Sequence, residues 1–500
     1  MKVTVNQTVL ILCDTLRCTL SPLWSHPCIT MNLLKTLAKV SSMTMVSRIL
    51  GFIRDAIIAR MFGAGMATDA FFVAFKLPNL LRRIFAEGAF SQSFIPSYAA
   101  SSHKPLFSAS VFARLMLWIL TLSAFVTIFQ GLFAEITAFG YSDEIKKLAA
   151  PVIAINFYYL DLIFIVTFLG ALLQYKKHFA TTAFSTALLN VAMITALFIA
   201  QGMGKLEAVY ALSFGVLAGG ALQVAVHVYA AKNRNILKGL YIGFVKLFRK
   251  DKSAAEDTKR FNKSFIPSIA GNSTSQISAF VDMWLATFLA SGAISYLYYA
   301  NRIFQLPLAV FAIATSMALF PSVAKAINRG EDDAALAQLT KAFWFLAFLL
   351  SSFAIGGIIL SNEVISLIYE RGEFRGTDTS NTAPVLAMYM IGLIPFGLSR
   401  LFSLWLYSKH QQLKAAKISA FSLICNAVMS VIFMKFFGAA GIALSGSITG
   451  VILFSLTIKT FGFDKFLSII KNRFAILLVL WMGFETLILV IFKEYVLAHI

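Results

Sequence analysis

An all-α polytopic membrane protein of about thirteen transmembrane helices, built as two six-helix lobes in parallel repeat plus one C-terminal helix, is the fold class that three features of this 500-residue sequence predict. The first is composition: 59% of residues are hydrophobic and 13% charged, whereas soluble domains run near 45–50% apolar and about 25% charged. The second is a succession of apolar runs long enough to cross a bilayer, each needing ~20 residues, with no polar stretch left over for a soluble domain. The third is an internal repeat whose landmarks recur about 225 to 236 residues apart. A formal net charge of +20 in a soluble protein would suggest nucleic acid. In a membrane protein the cations belong in cytoplasmic loops or around an anion inside the bundle.

The elements follow in chain order. Residues 1–30 are expected to be an unstructured extension, because their longest apolar run, Val9 to Cys13, is far too short to cross and no cleavage site precedes Met31. Met31 opens Met-Asn-Leu-Leu-Lys and leads directly into the first apolar segment, so it offers a second start. Residues 31–231 form the first lobe, with spans near 38–61, 67–91, 107–134, 148–174, 179–201 and 207–230. A basic cytoplasmic linker, 232–264, follows; its cations (among them Lys232, Arg234, Lys238, Lys246, Arg249 and Lys250) alternate with Leu237, Leu240, Tyr241 and Phe244, as in an amphipathic helix on an anionic leaflet. The second lobe, 265–462, holds spans near 265–290, 293–321, 340–361, 382–407, 415–434 and 438–460, and residues 463–500 add one helix, 474–492, and a tail. Basic loops before span 1 and after spans 4, 6, 10 and 12, against acidic ones after spans 3 and 9, place the N-terminus in the cytoplasm.

The repeat is read from landmarks in order. Phe62-Gly63-Ala64-Gly65, Leu77-Pro78 and Ile95-Pro96-Ser97 return as Leu289-Ala290-Ser291-Gly292, Leu306-Pro307 and Phe320-Pro321-Ser322. Ala150-Pro151-Val152, Tyr175-Lys176-Lys177-His178 and Asn190 then return as Ala383-Pro384-Val385, Tyr407-Ser408-Lys409-His410 and Asn426. Six spans per copy is an even number, so the two copies share one orientation, as in transporters whose site lies between the lobes. No metal-binding spacing, nucleotide loop or nucleophile elbow occurs, and Cys13, Cys18, Cys28 and Cys425 have no C-x-x-C spacing; an enzyme and a metal site are therefore not expected.

Charge inside a span costs at least ~2.5 kcal/mol per residue, so each such residue is a functional candidate. Span 1 carries Arg48, Arg54, Asp55 and Arg60, with Gly51 leaving room on the face of Arg54 and Asp55. In span 2, Asp69, Lys76 and Arg83 are spaced by seven and Glu87 returns to the same stripe, a seam of ~27 Å on a straight helix. Asn79, Arg82 and Arg83 gather forked donors suited to a diphosphate near one end. The second lobe adds Arg302. Within spans 1 and 2 the cations outnumber the acids by six to three, and the surplus asks for an anion. Asp282 and Asp161 stand alone as acids; a lone buried carboxylate in a lobe suits a coupling cation or proton as well as a structural hydrogen bond. The aromatic runs 71–75 and 296–299 read as core or lipid-facing packing.

The stretch Ser47-Arg48, Gly51-Phe52, Arg54-Asp55, Phe62-Gly63-Ala64-Gly65, Thr68-Asp69-Ala70-Phe71, Lys76-Leu77-Pro78-Asn79-Leu80-Leu81-Arg82-Arg83 and Glu87-Gly88-Ala89-Phe90-Ser91 closely resembles the MurJ (MviN) family of lipid II flippases, with weaker similarity over most of the rest. The resemblance implies the multidrug/oligosaccharidyl-lipid/polysaccharide exporter fold and a multi-pass protein of the bacterial inner membrane. Its implied role is to translocate undecaprenyl-diphosphate-linked peptidoglycan precursor, lipid II, to the periplasmic leaflet by alternating access, in the service of cell-wall biogenesis and cell shape. It also implies that Arg48, Arg54, Asp55, Asp69, Asn79, Arg82, Arg83, Glu87 and Arg302 line the cavity, and it suggests an ion site for sodium or a proton in the second lobe, assigned here to Asp282 with Asn426. No cofactor or nucleic acid is implied; the partners are lipid II and membrane lipids, with room for contact with cell-wall synthesis proteins. Two rivals share the fold: a flippase for another polyprenyl-diphosphate-linked polysaccharide, and a cation-coupled multidrug exporter, which would want acids in its cavity. The chain departs from the family in having Asn301 and Gln305 where acids commonly flank the arginine at 302, which leaves Arg302 with fewer expected partners, and in ending after one additional span where two are typical.

Overall fold

The computed structural model describes the backbone of residues 27–496 and, outside 27–42, 44, 85–88, 270–275, 278–279 and 496, their side chains. The described residues form helices and no strands. The first half comprises α1 (Pro27–Phe62), α2 (Met66–Leu81), α3 (Ser91–Ala100), α4 (Lys104–Ile128), α5 (Gln130–Thr137), α6 (Asp143–Phe157), α7 (Tyr159–Tyr175), α8 (Ala180–Ile199) and α9 (Lys205–Lys232). A short amphipathic helix, α10 (Ile236–Phe248), connects to the long α11 (Ala255–Ala286). The second half continues with α12 (Ala293–Pro307), α13 (Ala314–Asn328), α14 (Asp332–Ile359), α15 (Ser361–Tyr369), α16 (Gly376–Ile391), α17 (Leu393–Ser408), α18 (Gln412–Phe461), α19 (Phe463–Ile470) and α20 (Arg473–Ile491).

Each of the thirteen expected spans falls on helix, and among the described residues nine helical stretches are long and apolar enough to cross a membrane. α1, α2 and α11 are not among those nine. α18 joins two expected spans, yet it is broken at Gly438, whose φ of 56° and ψ of −134° suit a residue without a Cβ. Two boundaries shift. Of the expected extension, residues 1–26 lie outside the described residues, while 27–30 already belong to α1. The expected linker is also shorter, because residues 255–264 are helical and run on into the span, so that α11 is one continuous rod.

The repeat has a backbone counterpart. Pro78 near the end of α2 precedes a π-helical stretch, Arg82–Phe90, and Pro307 at the end of α12 precedes another, Leu308–Ile313. Proline lacks the N–H that would close the ladder to the preceding turn, and a loosened ladder widens most readily beside it. Within the first half α8 packs on α9 and α1, and α2 on α6; within the second, α17 and α16 pack on α18, and α12 on α16. The α8–α9 contact is a close one: a Cβ on Gly219 would lie 2.9 Å from the Cα of Leu189, which is small-residue packing of the membrane kind.

The halves meet at both ends. At the α1–α2 turn, the Glu373 N–H donates to the Arg60 carbonyl (2.9 Å), the Tyr299 hydroxyl to the Gly63 carbonyl (3.3 Å), and Lys205 pairs with Glu373 (2.7 Å). At the opposite end α11 lies against the first half, with Phe261 and Phe265 interleaved with Phe90 and Phe94 and Ser268 bonded to Ser93. Between these ends Phe72 stacks on Tyr298 with centroids 3.9 Å apart, so the two aromatic runs pack on each other there.

Candidate functional site

α1 positions Arg54 and Asp55 side by side in the interior, 6% and 0% exposed. Arg54 donates through Nε (3.0 Å) and Nη2 (2.6 Å) to one oxygen of Asp55, and the other oxygen accepts from Arg302 Nε of α12. The Tyr298 hydroxyl also donates to Asp55 (3.1 Å), and the Arg302 guanidinium lies over the Tyr298 ring. Two guanidinium groups thus share one carboxylate, one from each half, so that two cations face one acid in this cluster. Arg302 is not short of partners despite Asn301 and Gln305, which bond to each other.

Asn190 on α8 completes this cluster. Its carbonyl oxygen accepts from Arg54 Nη1 (2.8 Å) and its amide donates to the Ser47 carbonyl (2.9 Å). The repeat partner, Asn426 on α18, does the same for the other half: its amide donates to Asp282 (2.7 Å), Ser430 adds a hydroxyl (3.3 Å), and Thr449 donates to the Asn426 carbonyl (3.3 Å). An asparagine on the equivalent helix therefore anchors an opposite charge in each half, arginine on the first helix of one and aspartate on the first helix of the other. Lys76 lies within electrostatic range of Asp282.

The seam expected along α2 is divided. Asp69, fully buried, does not stand beside Arg54 but accepts from the Tyr141 hydroxyl (2.5 Å), the Gly292 N–H (2.6 Å) and the Ser295 N–H and hydroxyl (3.0 and 2.5 Å), at the first turn of α12. Lys76 is partly buried and Arg83 exposed, and beyond Leu81 the wider π turn ends the α-helical register on which the spacing of seven rests. Arg82 donates to Asn79 (3.1 Å), which brings the two together as expected, and Arg83 reaches Gln276 of α11 (3.4 Å). Arg48 is exposed on α1, and the Glu87 side chain lies outside the described ones. Asp161 accepts from Ser123 (3.2 Å) and is a buried internal acid of the first half.

The sequence reading passed over Tyr298, Asn190 as a partner of Arg54, and Ser430 and Thr449. Only the pairing of Asn190 with Asn426 in the repeat could have pointed to them. Among the described residues no cluster of three or more His, Cys, Asp or Glu could hold a metal ion, whereas the hydroxyl and amide oxygens around Asp282 are the hard donors that an alkali cation takes.

A family profile described as "Lipid II flippase MurJ" matches residues 58–499. A Helicobacter pylori protein named "Probable lipid II flippase MurJ" is 49% identical over 450 residues, covering 88% of this chain and 97% of that protein. One from Burkholderia cenocepacia, "Lipid II flippase MurJ", is 30% identical over 83% of this chain and 81% of its own length. Among solved structures, one titled "Lipid II flippase MurJ, inward closed conformation" superposes with a TM-score of 0.74 at 26% identity, over 92% of this chain and 99% of that one. An inward-facing MATE family transporter of the MOP superfamily superposes with a TM-score of 0.66 at 13% identity, over 87% of this chain and 99% of its own, a likeness of fold alone.

Proposed function

The chain belongs to the MurJ lipid II flippase family, and from that premise we propose that it moves lipid II, the undecaprenyl-diphosphate-linked peptidoglycan precursor, from the cytoplasmic to the periplasmic leaflet of the bacterial inner membrane. It works as a transporter and not as an enzyme. The observation that carries the reading is the shared carboxylate: Arg54 and Arg302, one from each half, converge on Asp55 and leave net positive charge in the interior. A diphosphate arriving between the halves competes with Asp55 for the guanidinium forks, whose planar donors match phosphate oxygens. Because the two arginines ride on different halves, anion binding is coupled to how the halves sit. Arg48, Arg82, Arg83 and Asn79 add donors toward the α11 end, and Asp55 and Asp69 orient the halves.

In this reading residues 31–231 and 265–462 are the two lobes, the N-terminus is cytoplasmic, and the Asp69 end is periplasmic. Asp282 with Asn426, Ser430 and Thr449 takes the coupling sodium ion or proton, an amide flip of Asn426 presenting its oxygen to a metal cation. Lys76 lies within electrostatic range of Asp282, so a cation at Asp282 and an anion near Lys76 favour each other. A multidrug exporter would need an acidic cavity, and the surplus here is cationic.

The test is depletion of the protein in its host with lipid-linked precursors quantified by leaflet. Lipid II should accumulate in the inner leaflet, wild-type protein should reverse this, and Arg54→Lys should not, at equal membrane abundance. Accumulation of a different polyprenyl-diphosphate saccharide, or full rescue by Arg54→Ala and Arg302→Ala, would refute the proposal.

A further inference from the structure

At the end opposite the Asp69 seam, the outer face of α4, the end of α10 and the first turns of α11 enclose an open cavity of about 620 Å³. Its wall is apolar at Ala113, Leu117 and Leu247, and its cations are Arg114, Lys252 and Lys259. The acid among its lining residues, Asp251, is already engaged by the Ser253 N–H (2.9 Å), and its carboxyl is held below the usual carboxylate range by that bond first. Among the described residues none of the three cations is in an ion pair.

Arg114 is the telling member. It is exposed on a helix apolar enough to span the membrane, ~15 Å of rise from the start of α4, and beside it Leu117 and Trp118 are 66% and 70% exposed. A guanidinium on such a face is costly unless its chain bends back to a polar layer or meets an anion there. The cavity supplies that layer, with Lys252 and Lys259 on its far side. Three cations above an exposed apolar strip match an amphiphile with an anionic head, and a basic pocket between helices at a membrane surface is a headgroup site by its chemistry.

We propose that this cavity binds the phosphate headgroup of an anionic glycerophospholipid, whose acyl chains run along Leu117 and Trp118. The site bridges α4 of the first half to α11, the helix whose Phe261, Phe265 and Ser268 close that end against the first half. The bound lipid holds α11 in its closed position, so the leaflet's anionic lipid content sets how readily that end opens. This site is separate from the arginine cluster and does not depend on what the protein transports.

The full-length protein, purified and delipidated in detergent, is titrated with phosphatidylglycerol, phosphatidylcholine or inorganic phosphate and followed by native mass spectrometry. Phosphatidylglycerol should bind more tightly than phosphatidylcholine, and the triple variant Arg114→Gln, Lys252→Gln, Lys259→Gln should lose about fivefold in affinity per cation removed. A control removing three charges elsewhere, Lys414→Gln, Lys417→Gln and Lys471→Gln, should bind as wild type does. Should the triple variant not fold, Arg114→Gln alone gives the reading, with Arg114→Lys retaining binding. Equal weakening in the control, equal binding of phosphatidylcholine, or displacement of the lipid by inorganic phosphate would overturn the proposal.

Discussion

Asp69 is where one substitution should most change the balance between the two ends. Its carboxylate accepts four hydrogen bonds, and three of them, from Gly292 N and from Ser295 N and Oγ, cross between the halves. The negative charge also faces the first turn of α12, where helix-end N–H groups favour it. In Asp69→Asn the charge is gone, the amide carbonyl serves two donors at best, and the NH₂ group confronts the rest. Bonds to a charged acceptor are each worth ~1.5–3 kcal/mol, and with half of them kept the net loss is about 3 kcal/mol. That shifts the equilibrium between closed and open at this end by roughly two orders of magnitude. In a background with the native cysteines replaced by serine, spin labels at Met203 and Thr377, on opposite halves near the Lys205–Glu373 pair, report the separation by pulsed electron resonance. Wild type should give one short, narrow distance, and Asp69→Asn a longer, broader one. Tyr141→Phe, which removes the one bond made within the first half, should leave the distance unchanged, and Ser295→Ala should fall between. If Asp69→Asn shows the wild-type distribution, the closure rests on something other than this carboxylate.

Other consequences are equally measurable. Asp55→Asn leaves the buried Arg54 and the half-buried Arg302 without the carboxylate they share, so its membrane abundance and melting temperature should drop by the equivalent of ~3–5 kcal/mol, whereas Arg54→Lys should keep abundance and lose complementation. Asp282→Asn should abolish any response of transport to sodium and membrane potential; an unchanged response in a transport assay would remove the coupling site. Gly438→Ala places a Cβ at a φ of 56° and ψ of −134°, a strain of ~1–3 kcal/mol that should lower the melting temperature with no change in substrate binding. Lys205 bonds Glu373 and holds its carboxyl below its ordinary value. A depressed acid contributes stability above its unfolded value and loses it as pH falls through the folded one, so the spin-label distance should be constant from pH 7 to about 5 and lengthen only in stronger acid. Both groups are exposed, so the lengthening should be small.

Membership in a polytopic α-helical class, the recurrence of landmarks along the chain and the cation surplus were all legible from residue order. They depend on local quantities: apolar run length, the cost of charge in a span, and the recurrence of Leu-Pro pairs and of Asn190 as Asn426. Partnership was not legible, because it depends on which helix faces which. A spacing of seven put Asp69 and Arg83 on one stripe, but the π turn ends that register, and Asp69 bonds across to Gly292 and Ser295 more than two hundred positions away. Asn301 and Gln305 suggested that Arg302 lacked partners until the approach of the halves brought Asp55 and Tyr298 to it. Residue order sets the charge each half carries; only the packing of one half on the other decides which charges meet, because hydrogen bonds between helices act over a few ångströms that sequence separation does not measure.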